Sequence, residues 1–249
     1  MNPARNLSLM LALFATGMVQ ADDIQIAVAA NFTAPMKEIA AAFEQETGHQ
    51  VKAAYGATGK FYAQIKNGAP FEAFLAADDT TPTKLVEEGV ALKESQFTYA
   101  VGTLVLWSAQ PDFVDDEGKV LAAGDFQKVA IANPKTAPYG AATLEVLTGL
   151  GLLDAIQPKF VTGENIAQTF QFASTGNAEL GFVALSQVME NGKITKGSAW
   201  IIPSKLHAPI RQDAVVLEPG RDKPAVAALM DYLKGERAQS IIRAFGYEI

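Results

Sequence analysis

Short apolar runs alternate with amphipathic stretches along most of the chain. Residues 24–30 form an apolar run typical of a buried strand, and Met36, Ile39 and Phe43 then recur with the spacing of one helix face. Further strand-like runs occupy residues 51–55, 71–76, 99–107, 128–132, 179–185 and 214–217. Because strands that alternate with helices favour parallel pairing, the pattern predicts an α/β fold in which mostly parallel sheets are flanked by helices.

The beginning of the chain has a different pattern. Arg5 precedes an apolar stretch over residues 7–19, and Val19-Gln20-Ala21 offers the small residues of a cleavage site. The stretch is shorter than the roughly 18 apolar residues that a membrane-spanning helix needs. This layout predicts a secretory signal peptide at residues 1–21, cleaved after Ala21, and a periplasmic product that is not inserted in a membrane.

Composition narrows the class of protein. Of the 249 residues, 49% are hydrophobic and 19% are charged, which excludes a disordered chain and fits a packed globular protein. The formal net charge is −7 and no run of Lys or Arg exceeds two residues, so nucleic acid is not an expected partner. Cysteine is absent and the histidines are His49 and His207, which leaves little material for a thiolate, a metal site or a catalytic triad.

Catalytic motifs find little support in the sequence. The segment Gly56-Ala57-Thr58-Gly59-Lys60 invites comparison with a phosphate-binding loop, but Ala54 stands where that loop needs glycine and Phe61 where it needs Ser or Thr. Asp78 and Asp79 follow a predicted strand, where a carboxylate pair fits a metal or acid–base site. The same pair fits the negative charge that favours a helix N-terminus, and helix capping is the commoner role. A periplasmic hydrolase built on these aspartates remains a distant alternative.

Three strand-to-helix loops and one further helix start have the features of an anion-binding site. They are residues 30–33, 56–59, 138–140 and 164–166. Open α/β sheets bind ligands beyond the carboxyl ends of their strands, and the backbone N–H groups at helix starts bind anions. Because local dipoles rather than the global charge face such a pocket, we expect this acidic chain to bind an anion.

Five separated blocks cover nearly the whole mature chain. They are IQIAVAANFTAPMKEIAAAFEQETGHQV, YGATGKFYAQIKNGAPFEAFLAADD, ANPKTAPYGAATLEVL, LGFVALSQV and DYLKGERAQSIIRAFGYEI. In the order and spacing of these blocks, the chain resembles the molybdate-binding periplasmic proteins of bacterial ABC transporters. The resemblance implies a two-lobed type II periplasmic binding protein fold with the ligand in the inter-lobe cleft. We expect residues 22–100 with 210–249 to form one lobe and residues 101–209 to form the other.

The resemblance also implies which residues hold the oxyanion. It places the contacts on Ala30, Asn31, Phe32, Thr58, Tyr139 and Ile166. Asn31 stands where many members of the family have serine, with backbone support from Ala30 or Phe32. Ile166 would contribute its backbone N–H. The family holds the anion through its oxygens by neutral hydrogen bonds, so neither a direct metal ligand nor a cofactor is expected.

One position departs from the family pattern. Many members have a tyrosine after the Gly-x-Val of the late strand, whereas this chain has Ala184. Some members carry a tyrosine in the proline-containing loop instead, so Tyr139 is expected to supply the missing hydroxyl. A donor that has moved changes the shape of the pocket, and selectivity depends on that shape.

Binding and delivery, rather than catalysis, follow from the resemblance. The expected ligand is molybdate and, because of its similar size, tungstate. The expected partner is the membrane permease of an ABC transporter, and the shuttle itself is expected to be a monomer. A protein of the same fold that binds sulfate, another oxyanion or a ferric complex remains the nearer alternative.

Overall fold

The computed structural model describes residues 21–190 and 192–249. Apart from Ala21, the predicted signal peptide therefore lies outside the described residues. The strands are β1 (Asp23–Ala29), β2 (Gln50–Gly56), β3 (Ala73–Leu75), β4 (Phe97–Gly102), β5 (Leu104–Ser108), β6 (Val129–Ala132), β7 (Phe160–Gly163), β8 (Leu180–Ala184), β9 (Met189–Glu190), β10 (Lys193–Ile194), β11 (Ser198–Ile201) and β12 (Ile210–Val216). The helices are α1 (Thr33–Thr47), α2 (Thr58–Lys66), α3 (Thr80–Glu87), α4 (Lys119–Ala123), α5 (Pro138–Gly149), α6 (Leu153–Ile156), α7 (Ile166–Ser174), α8 (Pro224–Lys234) and α9 (Glu236–Ala244).

The described strands form two five-stranded sheets and a two-stranded ribbon. The first sheet has the order β2-β1-β3-β12-β4, and the second has the order β11-β5-β8-β6-β7. In the first sheet β12 is antiparallel to both of its neighbours, and in the second β5 is antiparallel to both of its neighbours. The other pairs in these two sheets are parallel, so four strands of each sheet run in one direction. The predicted α/β class with mostly parallel sheets is confirmed.

The chain passes between the two sheets twice. Thr103 separates β4 of the first sheet from β5 of the second, and the segment between Ile201 and Ile210 leads back from β11 to β12. The first lobe is the first sheet with α1, α2, α3, α8 and α9, and the second lobe is the second sheet with α4, α5, α6 and α7. This is the predicted two-lobed architecture, while the lobe limits at 100/101 and 209/210 stay a prediction.

The run at residues 99–107, which has a single strand-like pattern, is divided between the two lobes. Its first part ends β4 and its second part forms β5. The pattern cannot show the division, because much of β4 and all of β5 are buried and Thr103 interrupts the apolar run at only one position.

Helices cover both faces of each sheet and position the loops. Met36, Ile39 and Phe43 of α1 are fully buried against Ile24 and Ile26 of β1, which confirms the predicted helix face. Burying each such side chain contributes about 1.5–3 kcal/mol. Each of β1, β2, β6 and β7 is followed closely by a helix at its carboxyl end, namely α1, α2, α5 and α7. These four connections meet between the lobes.

Within the described ranges, no single helix has the length and apolarity to cross a membrane. Helix α5 and the segment Leu153–Lys159 meet the criterion together, but they are bent by 117° relative to each other.

Candidate oxyanion site between the lobes

A narrow cavity lies where the loops after β1, β2, β6 and β7 meet. Its free volume is about 10 Å³, which is roughly the space that one water molecule requires. The first lobe lines it with Ala29, Ala30, Asn31, Gly56, Ala57, Thr58 and Ala77. The second lobe lines it with Ala137, Pro138, Tyr139, Asn165 and Ile166. None of these residues carries a charged side chain.

The fold brings most of the predicted ligand residues to this cavity. Those that line it are Ala30, Asn31, Thr58, Tyr139 and Ile166. The side chain of Phe32 lies elsewhere, fully buried against the rings of Tyr99 and Tyr247 at centroid distances of 4.8 and 5.4 Å. A contact of Phe32 with a ligand through its backbone stays a prediction.

Thr58 is the first residue of α2 and is almost completely buried. Its hydroxyl oxygen accepts a hydrogen bond of 2.9 Å from the backbone N–H of Ala77. Because a hydroxyl can accept and donate at the same time, its proton remains available to an acceptor in the cavity.

Asn31 lies in the short 3₁₀ turn between β1 and α1. Its Nδ2 donates to Gln212 Oε1 at 2.8 Å and to the hydroxyl oxygen of Tyr247 at 3.0 Å. Both amide hydrogens are therefore engaged within the protein, since an amide nitrogen carries two. The group that this turn presents most directly to a ligand is its backbone N–H, because the first N–H groups of a helical turn have no acceptor within the turn.

Tyr139 follows Pro138, which is the first residue of α5. Proline has no N–H, so the N–H of Tyr139 is the first one that this helix can offer. Its hydroxyl oxygen accepts a hydrogen bond of 3.3 Å from Gln212 Nε2, and its side chain is almost completely buried. The expectation that this hydroxyl replaces the donor missing at Ala184 stays a prediction.

Ile166 begins α7 directly after its N-cap residue, Asn165. The Oδ1 atom of Asn165 accepts from the backbone N–H groups of Ala167 at 3.0 Å and Gln168 at 3.1 Å. The cap thus takes the second and third N–H groups of the helix and leaves that of Ile166 free for the cavity. Gln187 holds this helix start in place, because its Nε2 donates to the Ile166 carbonyl oxygen at 3.0 Å.

The helix starts give the cavity a favourable potential for an anion. The first turns of α2, α5 and α7 and the 3₁₀ turn at Asn31 contain no acidic residue, although the chain has 27 acidic residues. Acidic residues are common in first turns because they complement the positive end of the helix dipole. Here those positive ends remain uncompensated and point to one space from both lobes. This arrangement can hold an anion by hydrogen bonds without a counter-ion.

Asp78 stabilises the start of α3. Its carboxylate accepts from the backbone N–H of Thr81 at 2.8 Å and from the Thr81 hydroxyl at 3.0 Å, which supports the helix-capping interpretation. Burial raises the pKa of the Asp78 carboxyl; the hydrogen bonds from Thr81 oppose this shift, and the charges of Asp79 and Asp213 add to it. Across the described residues, no group of three or more His, Cys, Asp or Glu side chains is placed to hold a metal ion.

Sequence comparisons agree with this geometry. Residues 24–248 match the profile of the family described as bacterial extracellular solute-binding protein. The chain belongs to this family. This solute-binding protein is 62% identical over 228 residues to the molybdate-binding protein ModA of Azotobacter vinelandii, covering 92% of this chain and 90% of that protein. It is 55% identical over 227 residues to ModA of Rhodobacter capsulatus, covering 91% of this chain and 88% of that protein.

A solved structure extends the likeness to three dimensions. The periplasmic molybdate-binding protein of Azotobacter vinelandii matches this solute-binding protein with a TM-score of 0.88 at 43% identity, covering 91% of this chain and 99% of that one. The predicted resemblance to the molybdate-binding periplasmic proteins is confirmed. These relatives are named for binding a solute and not for a reaction.

Several polar residues behind the cavity were not predicted from the sequence. They are Tyr99, Ser186, Gln212 and Tyr247, all buried. At Gln212 the local signal was weak, because Arg211 and Asp213 flank it in β12 and the segment reads as polar. The predicted strand at 214–217 began after that position, so the signal was missed.

Proposed function

We propose that this chain is the periplasmic molybdate-binding component of a bacterial ABC transporter. The observation that carries the proposal is the convergence of uncompensated helix starts from both lobes on one cavity lined by uncharged residues. The names of relatives that share 62% and 55% identity with the chain support molybdate as the ligand. The chain binds the anion between its lobes and delivers it to the membrane permease.

The proposed ligand set contains hydrogen-bond donors from both lobes. The first lobe contributes the Thr58 hydroxyl and the turn at Asn31, with backbone support from Ala30 or Phe32. The second lobe contributes Tyr139, through its hydroxyl or its backbone N–H, and the backbone N–H of Ile166. Hydrogen bonds to a charged group contribute about 1.5–3 kcal/mol each, so a few of them sustain tight binding after the ordering costs.

The same donors explain the proposed selectivity. Tungstate has nearly the size and charge of molybdate and is bound as well. Sulfate is smaller, so the donors of the two lobes cannot all reach its oxygens. Hydrogen phosphate carries a proton that needs an acceptor, whereas the proposed ligand groups are donors.

The proposal extends to the localisation, oligomeric state and cofactor needs of the protein. It is exported with its signal peptide cleaved after Ala21, acts as a monomer, is not inserted in the membrane and catalyses no reaction. It needs no cofactor besides the transported anion, whose oxygens mediate all contacts with the protein.

Calorimetric titration of the mature protein, after dialysis to remove bound anion, tests this function. Molybdate and tungstate should each bind in a one-to-one ratio, and sulfate at the same concentration should give no binding heat. Absence of molybdate binding would overturn the proposal. Tighter binding of sulfate than of molybdate would make sulfate the ligand.

A further inference from the structure

Gln212 connects the two lobes directly behind the cavity. It lies on β12 and is completely buried. Its Oε1 accepts a hydrogen bond of 2.8 Å from Asn31 Nδ2, and its Nε2 donates to the hydroxyl of Tyr139 at 3.3 Å. Asn31 belongs to the first lobe and Tyr139 to the second, and both line the cavity. Gln212 itself is not among the lining residues.

The chain crossings enclose this contact. Gly102 ends β4, immediately before the first crossing, and Gln212 follows the second crossing. A Cβ atom at Gly102 would lie 2.1 Å from the Tyr139 hydroxyl oxygen and 2.5 Å from Gln212 Nε2. The amide of Gln212 and the phenol of Tyr139 are therefore packed closely against Gly102, where any side chain would displace them. The contact lies at the hinge between the lobes.

Asn31 is held on its other side as well. The hydroxyl of Tyr247 accepts from Asn31 Nδ2 at 3.0 Å and donates to the Asn31 carbonyl oxygen at 2.9 Å. Ser186 of the second lobe donates to the same carbonyl oxygen at 2.9 Å. With both amide hydrogens and the carbonyl engaged, the turn at Asn31 has one orientation, and Gln212 provides the bond that links it to Tyr139.

We propose that Gln212 is a positioning residue for the oxyanion site, acting through Asn31 and Tyr139 without touching the ligand. By bonding one residue from each lobe, it aligns the donors of the 3₁₀ turn after β1 with those of the start of α5. This inference rests on the proposed function, because its effect is measured as the affinity for molybdate.

Gln212→Leu is the first test. Leucine has a similar volume but no hydrogen-bonding group, so Asn31 and Tyr139 each lose a partner in a buried place. The dissociation constant for molybdate, measured by calorimetry, should rise about tenfold or more. An unchanged dissociation constant in a folded Gln212→Leu protein would overturn the inference.

Gln212→Glu tests whether the hydrogen bonds of the side chain, rather than its volume, position the site. A protonated glutamic acid retains one acceptor and one donor, as glutamine does, whereas its anion has acceptors only. Burial raises the pKa of such a carboxyl, and the phenols of Tyr99 and Tyr139 contact it, with Asp78 and Asp213 close to Tyr99. At about pH 6, where a buried carboxyl is protonated, the affinity of this variant should approach that of the wild type and exceed that of Gln212→Leu.

The wild type and Gln157→Glu are the controls for this titration. Gln157 is exposed in the second lobe, so its substitution adds the same charge outside the site. Both proteins should bind molybdate equally at this pH. An affinity of the Gln212→Glu variant at about pH 6 that is no higher than that of Gln212→Leu would overturn the positioning role. Failure of the wild type to bind molybdate would instead overturn the proposed function.

Discussion

The backbone N–H of Gly59 donates a hydrogen bond of 2.9 Å to the carbonyl oxygen of Thr136. Gly59 lies in the first turn of α2 in the first lobe, and Thr136 lies in the loop before α5 in the second. One residue further along, Lys60 Nζ is 2.6 Å from Glu164 Oε1 of the second lobe. Three consecutive residues from Thr58 to Lys60 thus combine a proposed ligand group with two contacts between the lobes. Closure of the cleft and binding of the anion involve the same turn.

Gly59→Ala should weaken molybdate binding about fivefold to tenfold, the value of one hydrogen bond. A Cβ atom at Gly59 would lie 3.0 Å from the Cα of Thr136, so the lobes cannot approach as closely. Stability of the ligand-free protein should not fall, because alanine favours the helix more than glycine does. Calorimetry and thermal unfolding measure the two effects.

The control for this substitution is Gly149→Ala at the end of α5, where an added Cβ would meet no atom within 4 Å. It should leave the affinity unchanged. Equal affinities of both variants and the wild type would show that the contact between Gly59 and Thr136 plays no part in binding.

Thr58→Ala should raise the dissociation constant for molybdate about tenfold, since one charge-assisted hydrogen bond is lost. Thr58→Ser keeps the hydroxyl, so it should bind with nearly wild-type affinity. If the serine variant is as weak as the alanine variant, the methyl group of Thr58 and not its hydroxyl matters. Because the N–H of Ala77 also loses its acceptor in the alanine variant, thermal unfolding should accompany the titrations.

Asn165→Asp adds a negative charge to the cavity while it keeps the cap of α7. It therefore tests the electrostatic potential of the site separately from the stability of the helix. Aspartate caps a helix as well as asparagine does, so the unfolding temperature should stay the same. The new negative charge lines the cavity, and the affinity for a dianion should fall at least about tenfold. Asn177→Asp adds the same charge at an exposed position outside the cavity and should change neither property. Equal molybdate affinities for the two variants would contradict the anion site at the start of α7.

Asp78 should make the free energy of unfolding depend on pH. Its pKa is raised by burial above the ordinary value of 3.8, so the folded state binds the proton more tightly than the unfolded state does. The stabilising contribution of the protonated carboxyl is therefore complete below the ordinary value and is lost as the pH rises through the raised pKa.

Asp78→Asn removes this dependence while it keeps an acceptor for the N–H of Thr81. The variant should gain stability relative to the wild type as the pH rises, measured by urea unfolding at several pH values. It should still bind molybdate. If the free energies of unfolding of the variant and the wild type change in parallel with pH, the raised pKa of Asp78 is contradicted. Loss of molybdate binding would show that Asp78 has a functional role.

The local parts of the site were predictable from the sequence. Pro138 marks the start of α5, and Asn165 stands immediately before the apolar face that includes Ile166 and Phe170. These signals depend on residues within one or two turns of each other. Their placement at the ends of strands in an alternating α/β pattern was enough to predict that the loops meet.

The hydrogen-bond partners of each donor within the protein were not predictable from such local signals. The resemblance to the family assigns a ligand role to the hydroxyl of Tyr139, and only the structure shows that its oxygen also accepts a hydrogen bond from Gln212. Asn31 likewise uses its amide hydrogens for Gln212 and Tyr247. Which donors remain free for a ligand depends on partners that no local pattern identifies.

By itself, the sequence determined the alternation of strands and helices, the four helix starts and the absence of acidic residues from their first turns, because each of these is a property of short segments. Only the tertiary structure decided that β4 continues to Gly102 before the chain crosses to β5 and that Gln212 joins Asn31 to Tyr139. Those bonds connect residues 181 and 73 positions apart in the chain. Their geometry arises when two separately packed sheets are brought together at the hinge, and hydrophobic periodicity carries no information about that approach.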